Sequence, residues 1–147
     1  GHPSDKCHCS SDGILRYQNR ISGPLLDRID IQVEVPAMPP AALGAHAGGE
    51  TSAVIRRRVI TAFDAQLARQ GKANDALGTR EVDQHCRLDR PGNDILNAAT
   101  LRLHWSARAY HRVLKVARTI ADLAGHECIS AAHVGEAIQF RRGLREL

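Results

Sequence analysis

Aromatic residues are scarce in this sequence, which has one Trp, two Tyr and two Phe among 147 residues. This scarcity argues against an aromatic stacking platform for single-stranded nucleic acid. The hydrophobic fraction is an ordinary 43%, so Leu, Ile, Val and Ala must build the core, a composition that favours helices. Long apolar runs are also lacking, and the N-terminus is polar. We therefore expect no signal peptide and no contact with a membrane.

Cysteine is too sparse for a disulfide framework, since there are four, at positions 7, 9, 86 and 128. Their number predicts a reducing, cytoplasmic compartment. Cys86 and Cys128 lie within helical patterns, and we expect both to be small buried hydrophobes. The Cys7-His8-Cys9 stretch differs, because two neighbouring thiolates suit zinc. A structural zinc site needs four ligands, so Cys7 and Cys9 predict at most half of one.

Complete catalytic motifs are lacking as well. The sequence has no G-x-x-x-x-G-K-[ST] phosphate loop, no H-E-x-x-H zinc helix and no nucleophile–base pair. Net charge is modest, at +4, and of the 20 Lys and Arg residues all but Lys6, Lys72 and Lys115 are arginine. So small an excess does not separate a phosphate-binding surface from ordinary solvated charge.

The first 50 residues predict an incomplete unit. Residues 1–13 are polar, residues 14–19 predict a short helical turn, and residues 36–50 have the Pro, Ala and Gly content of a linker. Residues 29–35 alternate apolar and polar side chains and predict the one strand in the chain. A single strand leaves its backbone unpaired. We therefore expect residues 1–50 to be largely disordered, as the truncated end of a larger α/β core plus a linker.

Residues 51–147 predict a mainly α fold, a bundle of five helices at 52–69, 79–86, 90–103, 107–124 and 131–143. Each pattern has apolar residues at helical spacing on one face, and these should point inward. In the first, third and last helices they are Ile55, Val59, Ala62, Phe63, Leu67, Ile95, Leu96, Ala99, Leu103, Val134, Ala137, Ile138 and Phe140.

The helix at 107–124 has the clearest signals. Ser106 stands where an N-cap belongs, and Gly125 stands where a left-handed residue ends a helix. Apolar residues repeat along one face, while the other face carries cations with no acid until Asp122. A basic face of this kind either lies in solvent or meets an anion. Its members are Arg108, Arg112, Lys115 and Arg118.

Three stretches resemble a known family. Residues 21–31, I-S-G-P-L-L-D-R-I-D-I, resemble the arginine-finger segment of AAA+ ATPases of the magnesium-chelatase and MCM-helicase type, and residues 106–123 resemble their sensor 2 helix. Together with residues 129–138, these stretches are similar to the bacterial magnesium-chelatase-like ComM/YifB family. The resemblance covers nearly the whole chain in order and implies a helical AAA+ lid domain at 51–147. His104-Trp105 departs from the small apolar pair expected before Ser106.

The resemblance also implies roles for single residues. Arg28 matches the catalytic arginine finger, which contacts the γ-phosphate held by a neighbouring subunit, and Arg108 matches the nucleotide-binding sensor 2 position. Arg112 and Lys115 extend the same face toward phosphate or DNA. The Walker A and B motifs of the family are absent from this chain. We therefore expect ATP and Mg²⁺ to bind in the intact parent, and this chain alone neither to hold them tightly nor to hydrolyse ATP.

The parent is expected to be a homo-oligomer, a hexamer, that acts on DNA in natural transformation by branch migration, or less readily in a chelatase-like remodelling reaction. The isolated chain is expected to be a monomer. Two alternatives stay open. One is a freestanding helical nucleic-acid-binding module that uses the basic faces at 56–58 and 108–118. The other is a domain that docks a partner protein.

Overall fold

Helices make up nearly all the regular structure in residues 8–38 and 48–142, the part of the chain that the computed structural model describes. The five helices expected in residues 51–147 are confirmed, with ends within one residue of the predicted ones. A 3-10 turn at Asn74–Ala76 follows the first of them. The helices are α1 (Ser11–Gln18), α2 (Gly23–Leu26), α3 (Ser52–Gln70), α4 (Thr79–His85), α5 (Arg90–Arg102), α6 (Ala107–Leu123) and α7 (Ala131–Arg142).

The strand predicted at 29–35 is wrong, because the described residues contain no β-strand and residues 29–35 are irregular. One backbone hydrogen bond joins this stretch to the bundle, from the amide of Gln32 to the carbonyl of Phe140, at 2.7 Å. The physical reason is that the alternating pattern has no second strand to pair with among these residues. The predicted linker falls partly on residues 39–47, which lie outside the described residues.

The two ends of α6 form as predicted. The Ser106 hydroxyl accepts a hydrogen bond from the amide of Ala109 at 3.2 Å. Gly125 has φ +72°, and the amide of His126 donates to the carbonyl of Ala121 at 2.8 Å. This is a Schellman ending, which favours glycine because the left-handed region costs it little. α6 packs against α7, α3 and α4 and is the central helix of the bundle.

The N-cap of α5 depends on a glycine. Gly92 is buried in the first turn of α5, where its amide donates to the Asp89 carboxylate at 2.7 Å. A Cβ at this position would lie 2.7 Å from that carboxylate and 3.4 Å from Cγ2 of Val134 on α7. Leu96 follows one turn later and is fully buried. A side chain at position 92 would therefore displace the Asp89 carboxylate. The inward positions predicted for Leu96 and Val134 are confirmed.

The predicted inner face of α3 is wrong at most positions. Ala62 is buried, but four of the five expected residues are exposed: Ile55, Val59, Phe63 and Leu67. The buried partner of Ala62 on α3 is a polar residue, Gln66, whose side-chain oxygen accepts from the amide of Asn74 at 2.9 Å. α3 therefore meets the bundle largely through polar groups near its C-terminal end.

Of three further predictions of buried side chains, one is confirmed and two are wrong. Cys86 is buried as expected, and burial raises the pKa of its thiol to about 11. Cys128 is exposed and Ile95 is 40% exposed, so these two predictions are wrong. Cys128 lies in the turn between α6 and α7 and not within a helix. The inward face predicted for α7 is confirmed at Val134, Ala137 and Ile138, with Phe140 partly buried against the core.

The largest error concerns Arg118, which is 2% exposed instead of lying on the solvated basic face. Its guanidinium donates to the Asp122 carboxylate one turn later, with Nε 3.1 Å from Oδ1. It also donates to the backbone carbonyls of His126 at 2.5 Å and Glu127 at 2.6 Å. A buried cation is tolerated here because a buried anion and two carbonyls complete its hydrogen bonds.

The Asp122 carboxylate joins this group to α3. It accepts from Arg69 at the end of α3 through two bonds of 2.6 and 3.0 Å, and from the side-chain amide of Asn74 at 2.9 Å. Asn74 also donates to Thr119 on α6 at 3.0 Å. The end of α3, the turn after it and the C-terminal half of α6 therefore meet at one carboxylate.

Replacing Asp122 should destabilise the bundle strongly. Asp122→Asn leaves Arg118 charged and buried without its anion, a change that costs about 3–5 kcal/mol of unfolding free energy in comparable sites. Urea unfolding followed by circular dichroism measures the change. Glu50→Gln is the matched control, since Glu50 pairs with Arg58 at 3.0 Å on the surface and both side chains are about half exposed. Equal unfolding midpoints for the two variants would contradict the role given to Asp122.

A second buried polar group fixes the turn between α6 and α7. The amide of Ser130 donates to Nδ1 of His133 at 3.0 Å, so the neutral ring of His133 carries its proton on Nε2. That nitrogen lies 3.1 Å from Nδ1 of His126 and donates to it. A proton added to Nδ1 of His133 would break its hydrogen bond with the amide of Ser130.

The surroundings of His133 favour the neutral ring. Burial is the largest influence, and His126 and Arg118 add to it; together they lower the pKa of His133 below its ordinary value of 6.5. Glu136 and Asp89 act in the opposite direction and are outweighed. The unfolded chain consequently takes up a proton at a higher pH than the folded chain does.

Stability should fall as the pH drops below 6.5, the ordinary histidine value, because the unfolded state then binds more protons than the folded state. Urea unfolding midpoints at about pH 8 and about pH 5.5 measure the effect. His133→Gln should be less stable at the higher pH and should show a smaller loss between the two. His8→Gln, which changes an exposed histidine, should keep the full loss. An unchanged pH dependence in His133→Gln would refute this account.

Candidate functional site

A groove lined with cations lies between α4 and the first half of α6, with a volume of about 380 Å³. Its floor is apolar, formed by Leu77 and Val82, and Thr79 lies at the start of α4. One side consists of four basic residues of α6, spaced so that they share a face of the helix. They are Arg108, His111, Arg112 and Lys115.

Arg108 is exposed in the first turn of α6, and its side chain has no hydrogen bond or ion pair to any residue in the described ranges. The first turn carries the partial positive charge of the helix dipole, and its backbone amides favour anions. A cation in this position is disfavoured until a negative group binds beside it. Arg108 and the start of α6 together therefore form a site suited to an anion such as phosphate.

The other two predicted cations are already engaged. Arg112 forms an ion pair with Asp30, which lies in the irregular stretch after α2. The ammonium group of Lys115 donates to the backbone carbonyl of Asp75 at 2.9 Å. Among the three cations of the groove predicted to meet phosphate, only Arg108 has no partner in the described part of the chain. Arg118, predicted on the same face, lies in the core.

Arg28 is exposed just after α2 and is absent from the lining of the groove. Its guanidinium donates to the carbonyl of Pro24 at 2.7 Å, one helical turn earlier. The neighbouring Asp27 accepts from the hydroxyl of Ser106, the N-cap of α6, at 2.7 Å. The structure therefore places Arg28 beside the helix that carries Arg108 but directs the two side chains to different surroundings.

Residues 27–32, here called the strap, cross the ends of α6 and α7. Arg141 on α7 is 7% exposed, and its guanidinium donates to the carbonyl of Ile29 at 2.9 Å and to Asp27 at 3.4 Å. Sequence reasoning missed Arg141, although it falls seven residues after Val134 on the buried face of α7. The same crevice contains Trp105, the residue that departs from the family pattern.

The remaining predicted positions are not brought into the groove. Cys7 lies outside the described residues, and Cys9 is exposed near the start of α1. No group of three His, Cys, Asp or Glu side chains in residues 8–38 and 48–142 could hold a metal ion. Zinc at Cys7 and Cys9 stays a prediction. The cations at 56–58 lie exposed on α3. In the described ranges, no helix is long and apolar enough to cross a bilayer.

Comparison with known families assigns most of the chain. The model of the magnesium chelatase subunit ChlI C-terminal domain matches residues 49–141, which include α3 to α7 and the groove. The chain belongs to the magnesium-chelatase-like AAA+ family, in its ComM/YifB group. The model of magnesium chelatase subunit ChlI matches residues 1–43. The strap therefore lies in the match at 1–43 and the groove in the match at 49–141.

Individual relatives support the same group. Competence protein ComM of Haemophilus influenzae is 43% identical over 139 residues, which are 94% of this chain and 27% of that protein. The YifB protein of Salmonella typhimurium is 44% identical over 134 residues, 90% of this chain and 26% of its own length. YifB of Escherichia coli is 41% identical over 134 residues, which are 90% of this chain and 26% of that protein. The chain therefore spans about a quarter of the length of these relatives.

Proposed function

We propose that this chain supplies the sensor 2 lid and the arginine finger of a magnesium-chelatase-like ATPase. The observation that carries the proposal is Arg108, an exposed arginine without a partner in the described residues, at the positive end of α6 and on a groove with two further cations. A guanidinium in this position can donate two hydrogen bonds to a phosphate. Membership of the family supports ATP as the ligand.

The groove fits the phosphates and not the whole catalytic site. Its donors are cationic side chains, which suit phosphate oxygens, and this chain has no Walker A sequence. Mg²⁺ bound with ATP would neutralise charge on the phosphates, but the residues that hold it must come from another part of the same protein. The task of Arg108 is to bind and orient a phosphate and so to close the lid on it. Alone, the chain should bind ATP weakly and should not hydrolyse it.

Arg28 would act on a different nucleotide. It is exposed at the end of α2, away from the groove, as a residue that reaches a neighbouring subunit must be. Its permanently charged, planar group suits a phosphoryl group whose charge spreads over three oxygens. This role requires an oligomer, and a hexamer is part of the proposal.

Action on DNA is also part of the proposal. The Haemophilus influenzae relative is named a competence protein, and α3 presents exposed arginines at 56–58, of which Arg58 pairs with Glu50. Arg112 and Lys115 stay candidates for phosphate contacts, of ATP or of DNA, once their present partners are displaced.

Loss of Arg108 should remove ATP turnover without unfolding the protein. In the complete ATPase, Arg108→Ala should lower kcat/KM for ATP about 10²-fold or more, as the loss of a preorganised charge contact does. Arg102→Ala is the control, because Arg102 is also exposed on a helix of the bundle. Steady-state hydrolysis and a thermal melt measure both effects. Normal ATP turnover in Arg108→Ala would contradict the sensor 2 role proposed for Arg108.

Arg28→Ala should also stop turnover, by about 10³–10⁵-fold if the residue acts as an arginine finger. Because an arginine finger acts on the nucleotide of the neighbouring subunit, mixing two kinds of variant subunit distinguishes the role of Arg28 from that of Arg108. Subunits with Arg28→Ala should regain activity when mixed with subunits whose own nucleotide site is inactivated, since those subunits lend their intact finger. Subunits with Arg108→Ala should regain none. Recovery by both variants, or by neither, would contradict a finger acting between subunits.

A further inference from the structure

One carboxylate joins the strap to two helices at once. Oδ2 of Asp27 accepts from the hydroxyl of Ser106, and Oδ1 lies 3.4 Å from the guanidinium of Arg141. The same Ser106 hydroxyl accepts from the amide of Ala109, in the first turn of α6. Asp27 therefore connects the end of α7 to the turn of α6 that carries Arg108.

Arg141 directs its donors to the strap and not to solvent. It is 7% exposed and donates to the carbonyl of Ile29 at 2.9 Å as well as to Asp27. Burial lowers the pKa of Arg141, while Asp27 and Asp30 oppose that effect. A buried guanidinium is costly without acceptors, so these contacts hold residues 27–29 against the end of α7.

The other end of the strap is tied to the groove itself. Asp30 forms an ion pair with Arg112, which lines the groove one turn after Arg108. The amide of Gln32 donates to the carbonyl of Phe140 at 2.7 Å. Arg28 is therefore flanked on both sides by residues that contact α6.

We propose that Asp27, Asp30 and Arg141 are positioning residues that couple an anion bound at Arg108 to the placement of Arg28. This inference rests on the function proposed above. An anion in the groove competes with Asp30 for Arg112. It also binds the first turn of α6, which is capped by Ser106, the residue whose hydroxyl donates to Asp27. Because α6 is a rigid helix, both attachments of the strap change together, and the segment that carries Arg28 shifts with them.

Amide NMR of the 147-residue chain with millimolar ATP as the probe tests the coupling. ATP should shift the resonances of Arg108 and Ala109, and also those of Arg28 and Ile29. In the double variant Asp27→Ala, Asp30→Ala, compared at equal saturation, the shifts at 28 and 29 should be lost while those at 108 and 109 remain. Arg141→Lys, which cannot bond Asp27 and Ile29 in the same geometry, should reduce them as well.

The control is a second double variant, Asp64→Ala with Asp94→Ala, which removes two exposed carboxylates from α3 and α5. It has the same net charge as the strap variant. It should retain all the shifts. The coupling is overturned if 108 and 109 shift while 28 and 29 do not. It is also overturned if the shifts at 28 and 29 persist in the strap variant, where the contacts of Asp27 and Asp30 are absent. Absence of any shift at 108 and 109 would instead remove the proposed nucleotide contact.

Discussion

The geometry of the groove depends on the buried ion pair between Arg118 and Asp122. Both side chains are 2% exposed, and their contacts reach α3 through Arg69, the turn after it through Asn74, and the turn before α7 through two carbonyls. Two buried charges are stable only when each has a full set of partners. The pair therefore fixes how α3 and α7 sit against α6, the helix whose first half forms one side of the groove.

The basic residues of α6 serve three different purposes. Arg118 organises the core, Arg112 and Lys115 are joined to the strap and to the backbone at Asp75, and Arg108 is left exposed at the positive end of the helix. This division makes chemical sense, since a cation held by a carboxylate is partly neutralised toward a ligand. An arginine that no described residue neutralises keeps its full charge for one. A mild net charge of +4 therefore does not show how these basic residues differ in the partners that they already have.

Local signals made much of the fold predictable. Helix ends followed from Ser106 and Gly125, because capping depends on one or two neighbouring residues, and the inner face of α7 followed from spacing. The predictions failed where packing decides. The apolar face of α3 stays exposed at Phe63, since α3 meets the bundle through Gln66 and Arg69. Residues 29–35 have the pattern of a strand, but the described part of the chain contains no partner strand.

The sequence by itself determined the helices and their order, because these depend on local patterns, and the family, through the resemblance of three stretches. That resemblance also named Arg28 and Arg108 as candidates for phosphate contacts. Only the tertiary structure decided which cations are available. Arg118 could be recognised as buried only once Asp122 and the carbonyls at 126 and 127 closed around it. Asp30 is 82 residues from Arg112 in the chain, and Arg141 is 114 from Asp27. Such pairs depend on the packing of distant segments, which no local pattern specifies.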